Sequence, residues 1–168
     1  MATKLDWAAV WRERGSAIAL YLGLSTLGHL TWEIVQLPLY GLWRTASNRE
    51  LAFAVVHCTG GDLLIATSVL LASLVVLRAW RWPRTNALPV AMLALLLGIA
   101  YTAFSEWHNV YVRQSWAYAP AMPTLPILGH PIGVSPLAQW LVVPTLVFAA
   151  LSLPRGRSAQ PGSRRPAD

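Results

Sequence analysis

The chain has 168 residues, 55% of them hydrophobic and only 12% charged, with positive mean hydropathy and a net charge of +6. Soluble domains carry about a quarter charged residues, so this composition excludes one and fits a single compact membrane domain. The basic residues sit at the ends of apolar runs, which reads as membrane topology and argues against a nucleic-acid surface. Cys58 is the lone cysteine, so the chain has no internal disulfide and no cysteine zinc site.

Residues 1–15 include Leu5, Trp7 and Trp11 among Lys4, Arg12 and Arg14. This mixture predicts a short interfacial helix and lacks the pattern of a signal peptide. Apolar runs follow at residues 16–38, 50–77, 88–107 and 132–153. Each is close to the ~20 residues that cross a bilayer. The predicted fold is therefore all-α: an integral membrane four-helix bundle over residues 16–153, with a Pro-rich outer loop. The tail, residues 154–168, is Arg, Ser, Gly and Pro with almost no apolar residue, and it predicts a disordered basic segment.

The arginines and lysines predict orientation. Lys4, Arg12, Arg14, Arg78, Arg81, Arg84, Arg155, Arg157, Arg164 and Arg165 fall on one side of the four spans. Arg44, Arg49 and Arg113 fall on the other. Ten against three places both termini in the cytoplasm and the protein in the cell (inner) membrane.

The third connection, Ser115 to Pro136, holds five prolines and two glycines, yet it is apolar. It cannot be a long helix. A non-helical apolar stretch at membrane depth has to lie on the bundle as a cap or re-entrant piece, its backbone satisfied by protein or water.

The first span carries His29, Glu33, Gln36 and Tyr40, three or four residues apart. At about 100° per residue these fall on one helical face. An intramembrane acid is costly and is a functional candidate by default. Span two adds His57 and Asp62, which are about 140° apart on an ideal helix and cannot both face one point without distortion. Span three ends with Tyr101, Glu106, His108 and Asn109, and span four opens with Gln139 and Trp140. Counting depth from the predicted orientation, all four spans place these groups in the outer half of the membrane. The inner halves, such as residues 70–76 and 91–97, are almost purely aliphatic. Convergence at one level predicts a polar pocket. Its acid candidates are Glu33, Asp62 and Glu106 with His29, and its substrate-facing candidates are Gln36, Tyr40, His57, Tyr101, His108, Asn109, Gln139 and Trp140. Acids in a low-dielectric site suit general acid–base work, and nearby aromatic faces suit a developing cation. That describes a double-bond isomerase, hydratase or cyclase acting on an apolar lipid or isoprenoid.

Four spans with His29-x-x-x-Glu33, the acid-bearing stretch His57-Cys58-Thr59-Gly60-Gly61-Asp62, Tyr101-x-x-x-Ser105-Glu106 and Gln139-Trp140 resemble the EXPERA domain. That family includes sterol double-bond isomerases and the sigma-2 receptor group. The resemblance implies that His29 and Glu33 handle protons, that Asp62 is the second acid, and that Gln139 and Trp140 contact the ligand.

Two other classes remain open. One is a metal or haem protein: His29, Glu33, His57, Asp62, Glu106 and His108 offer nitrogen and oxygen ligands, with the first four as the preferred set, but no diagnostic motif is present. The other is a non-enzymatic lipid-binding or transport-assisting protein. No cofactor is expected. The expected partners are membrane lipids, an apolar small molecule and, as a further option, a second copy of the chain.

Overall fold

The computed structural model describes residues 7–153. Helix α1 spans Trp7–Gln36 and runs into a 3-10 turn, Leu37–Leu39. Pro38 ends the α-helical ladder, because it has no N–H to donate to the carbonyl four residues back, and the chain tightens into the 3-10 turn. A single turn, α2 (Leu42–Thr45), leads to α3, Asn48–Val76. Ser47 and Glu50 form a reciprocal capping box at the start of α3. Helix α4 is Ala87–Trp107, extended by a π-turn over His108–Val112. A hairpin follows, strands β1 (Thr124–Ile127) and β2 (His130–Gly133), and then α5, Val134–Ser152.

The helices close a ring in the order α1, α3, α4, α5, each packing on its two neighbours. Four helices are long and apolar enough to span a membrane. Their outward faces carry Leu27, Val35, Phe53, Val56, Leu64, Leu96 and Leu146, all more than half exposed. Apolar side chains turned outward over the length of a bundle are the signature of a lipid solvent. The chain is a small polytopic membrane protein with an α-helical bundle fold.

The two ends of the bundle differ. The end near the α3–α4 turn has an apolar core of Ala17, Tyr21, Ala66, Leu70, Leu74, Val90, Ala94 and Val147. Trp82 in that turn is buried, Arg84 pairs with Glu13, and Arg14 reaches the carbonyl of Trp80. The segment expected as a separate interfacial helix instead runs into the first span: α1 is continuous from Trp7. Residues 1–6 of that segment, and the tail expected to be disordered, lie outside the described residues.

At the opposite end the Pro-rich connection lies across the bundle. Ala119 N–H donates to the Leu39 carbonyl (2.9 Å) and Gly41 N–H to the Ala117 carbonyl (2.8 Å). These bonds tie the end of α1 to the segment that precedes the hairpin. Within the hairpin Pro126 stands opposite Pro131. Prolines have no N–H, so this pair presents no unsatisfied donor on the strand edges, and Tyr111 donates to the Pro131 carbonyl (2.6 Å).

Two glycines set the spacing of α5 against its neighbours. A Cβ on Gly28 would fall 2.6 Å from Val143 Cγ1, and one on Gly98 would overlap the six-membered ring of Trp140. Gly98→Leu is therefore expected to destabilise the bundle by about 1–3 kcal/mol or more through overpacking. Thermal unfolding of the purified protein in detergent measures it, and an unchanged midpoint would contradict the packing described for Trp140.

Candidate functional site

Helices α1, α3 and α5 bring their polar side chains together at the hairpin end of the bundle. The centre is the side-chain amide of Gln139, which is 2% exposed. Its nitrogen lies 2.9 Å from Asp62 Oδ2, 3.0 Å from His29 Nδ1 and 3.2 Å from Glu33 Oε1. Its oxygen accepts from Gln36 Nε2 at 3.3 Å, and Gln36 Nε2 also donates to Glu33 Oε1 at 2.7 Å. Trp140 Nε1 donates to the second oxygen of Asp62 at 3.3 Å. Glu33 and Asp62 each lie against the same amide nitrogen of Gln139, which makes the two carboxyl groups neighbours across α1 and α3. The network continues outward: Ser135 Oγ donates to Gln36 Oε1 (2.8 Å) and accepts from Trp32 Nε1 (3.1 Å).

The donors decide the protonation pattern of the histidine. An amide nitrogen has hydrogens but no accepting lone pair, so Gln139 donates to His29 Nδ1 and the ring's own proton resides on Nε2. The His29 Nδ1–Asp62 separation of 3.5 Å is the longer contact and is secondary to it. The amide has two hydrogens for three acceptors, so the cluster is one proton short unless a carboxyl group carries it.

A third acid, Glu106, lies beside the network. Glu106 Oε2 accepts from Tyr118 Oη at 2.7 Å, and Tyr118 Oη accepts from Gly133 N–H at 2.9 Å. The Trp116 indole also faces Glu106, outside strict hydrogen-bond geometry. Glu106 and Glu33 are near enough to interact electrostatically. Burial pushes the Tyr118 hydroxyl well above its ordinary pKa, and the Glu106 charge adds to this, so the phenol remains a donor. Tyr40 is pushed up by the same two causes, burial first and then Glu106. Its ring packs on Tyr118 with centroids 5.9 Å apart.

Of the residues singled out in the sequence, His29, Glu33, Gln36, Asp62, Gln139 and Trp140 form one network, with Glu106 and Tyr40 beside it. His57 does not join: it is exposed on the outer face of α3 and stacks on Phe53 (5.5 Å). No distortion at Gly60–Gly61 brings it round, because α3 is an unbroken helix there. Tyr101 is 49% exposed and pairs with Phe104. His108 stacks on Phe104, and Asn109 donates back to the Ser105 carbonyl of its own helix. Among the described residues no three His, Cys, Asp or Glu side chains are grouped as metal ligands would be. His57, one of the four preferred candidates, points away from the other three.

Tyr118, Ser135 and Trp32 belong to the network but carry no sequence pattern that marks them. Ser135 and Trp32 meet across 103 residues, and Tyr118 lies in a proline-rich stretch with no period to fix its direction. Two concavities lie apart from the network. One of about 390 Å³ runs between α4 and the hairpin, lined by Ala103, Phe104, Trp107 and Leu128. The other opens at the start of α3, by Ser47 and Glu50.

Comparison with known proteins returns nothing: no family model, no curated protein and no solved structure matches the chain.

Gln139→Leu strips the central donor and its two hydrogens from the buried His29 and Glu33 and the part-buried Asp62. The expected cost is about 1–3 kcal/mol for each acceptor left unmet. His57→Ala, on the lipid-facing side, is expected to stay within about 0.5 kcal/mol of wild type. Thermal unfolding of both variants in one detergent makes the comparison.

Proposed function

We propose that the protein is an intramembrane acid–base enzyme acting on an apolar lipid or isoprenoid, in the manner of the EXPERA-type double-bond isomerases. The observation that carries this reading is the Gln139 amide held between Glu33, Asp62 and His29. The amide's two hydrogens cannot serve His29, Glu33 and Asp62 together, so a proton on one carboxyl completes the set, making that group the acid and the other the base. His29, with Nδ1 occupied by the amide, cannot take that proton without breaking the bond. It acts as an orienting group, and Glu33 and Asp62 are the exchanging pair.

Glu106 and Tyr118 fit the role of a link between that pair and the surface at the hairpin end. Glu106 is within electrostatic range of Glu33, and its hydroxyl partner belongs to the segment that covers the site. The positive-inside distribution of Lys and Arg supports placing this end on the extracytoplasmic side with both termini in the cytoplasm. Leu128, 96% exposed at the hairpin turn, suits an apolar surrounding for the tip and therefore a bilayer-facing position.

Proton transfer to carbon leaves an isotopic record. Membranes containing the wild-type protein, incubated in heavy water, are expected to place deuterium at a carbon of one lipid class, read by mass spectrometry. Glu33→Gln and Asp62→Asn keep the shape of each side chain and remove the acid. Each should slow labelling about a hundredfold or more. Equal labelling in all three, or none above protein-free membranes, would reject acid–base turnover and leave a ligand-binding protein.

A further inference from the structure

The concavity between α4 and the hairpin, about 390 Å³, has the size of a small-ligand site and lies outside the acid–amide network. Helix α4 lines it with Ala100, Ala103, Phe104 and Trp107, and the hairpin faces them with Leu128 and His130. Residues three apart share a helical face, so the two alanines leave a trough where larger side chains would fill it. The trough opens outward. Ala100 and Leu128 are exposed, and Phe104 beside them is 54% exposed. Ile132, which is buried, lines the inner side. The next residue, Gly133, is the one whose N–H reaches Tyr118 Oη.

The lining changes character along its length. Trp107 closes α4 at the hairpin end of the bundle, and Ala100 lies seven residues deeper, about 10 Å along the helix axis. At the deep end α4 contributes methyl groups. At the shallow end the His130 ring lies 6.3 Å from the Trp107 ring and 4.9 Å from the Tyr111 ring, centroid to centroid. The neighbouring polar groups are already engaged: Tyr111 donates to the Pro131 carbonyl, and Asn109 to the Ser105 carbonyl. The His130 imidazole is not. Among the described residues it has ring contacts and no hydrogen bond.

We propose that this trough seats one acyl chain of a phospholipid, with an ester or phosphate oxygen of that lipid hydrogen-bonded to His130. The trough runs along a spanning helix, as lipid chains run along the bilayer normal, and it is open on the side that faces lipid. Its imidazole and indole stand at the end toward the membrane surface, where headgroups begin. Width excludes a partner helix. Spread over about 10 Å of length, the volume gives a channel about 6 Å wide, against about 10–12 Å for a helix with its side chains. Fit alone does not select a lipid, because the surrounding tails are as apolar as the trough. The imidazole supplies the selection, since it offers an N–H to an oxygen at one end of the chain. The site needs neither Glu33 nor Asp62, so it stands apart from the acid–base reading, and its test reads binding and not turnover.

The test places the full chain in vesicles of phosphatidylethanolamine and phosphatidylglycerol. A small share of the phosphatidylethanolamine carries a diazirine midway along one acyl chain, and light-induced adducts are mapped by peptide mass spectrometry. Adducts on residues 100–104 and 127–132 should exceed those on the outward face of α3, around Phe53 and Val56, by about fivefold or more. Ala100→Phe fills the trough from an exposed position, and Ala103→Leu fills it from the next turn. Either should bring the trough down to the level of the α3 face and leave that face unchanged. His130→Phe keeps a ring in place and removes the hydrogen bond, and it should lower trough adducts about fivefold. A diazirine-bearing alkane of the same length should label trough and α3 face alike. Adducts spread evenly over all outward faces by the phospholipid probe, as for bulk lipid only, would overturn the proposal. So would trough adducts that survive both filling variants, that His130→Phe leaves unchanged, or that the alkane reproduces. Adducts that appear only after the protein is diluted into excess lipid would make a second copy of the chain the occupant and overturn it as well.

Discussion

The structure depends on one amide. Carboxyl groups inside a bilayer cost about 2.5–3.5 kcal/mol each even by the most lenient scales, and the cost is met only by donors that stay in place. Gln139 holds its amide nitrogen against Glu33, Asp62 and His29 together, with two hydrogens to share among them, from the second turn of α5. Those three acceptors come from α1 and α3, so the amide is also what ties α5 to both. Gln36 orients it by donating to its oxygen, and Ser135 in turn holds Gln36. Removing any link shifts the burden to the next, which is why such a network specifies one helix arrangement and tolerates few others.

The Pro-rich connection solves the backbone version of the same problem. A strand edge exposed to hydrocarbon would leave N–H groups unpaired. Opposed prolines remove two of those groups from the edges, Tyr111 satisfies a carbonyl, and Val134 N–H closes the hairpin on the Pro123 carbonyl at 2.8 Å. The same segment carries Tyr118, so the piece that covers the bundle end also supplies the hydroxyl bound to Glu106. Covering and polar chemistry are therefore coupled through a single loop.

How much of this could be read from sequence follows from which signals are local. The four helices were legible because length and apolarity are properties of one segment. The face of α1 was legible because His29, Glu33 and Gln36 repeat at helical spacing. The exclusion of His57 from the face of Asp62 also followed from geometry, and its outward position agrees with the angle between them. Tyr101, His108 and Asn109 were grouped with Glu106 by nearness in sequence, yet they turn toward neighbours on their own helix end, because spacing along one helix does not say which side meets the bundle. Tyr118 and Ser135 had no legible signal. Their roles are set by contacts with residues 12 and 99 positions away, and no period constrains a proline-rich loop.

The bundle divides its tasks along its length. Toward the α3–α4 turn, Leu70, Leu74, Val90 and Ala94 pack as an ordinary aliphatic core, where dispersion and close fit hold the helices. Toward the hairpin, the same helices exchange that fit for acids and amides. Groups of that kind subtract from stability unless something completes them. The aliphatic half can sustain the deficit because Gly28 and Gly98 let α5 approach closely enough for Val143 and Trp140 to interlock with α1 and α4. Trp140 stands at the junction, its ring packed on Gly98 and its N–H on Asp62. It is the point at which packing below fixes the geometry of the polar groups above, and so the precision of the site is inherited from the part of the bundle that has no chemistry of its own.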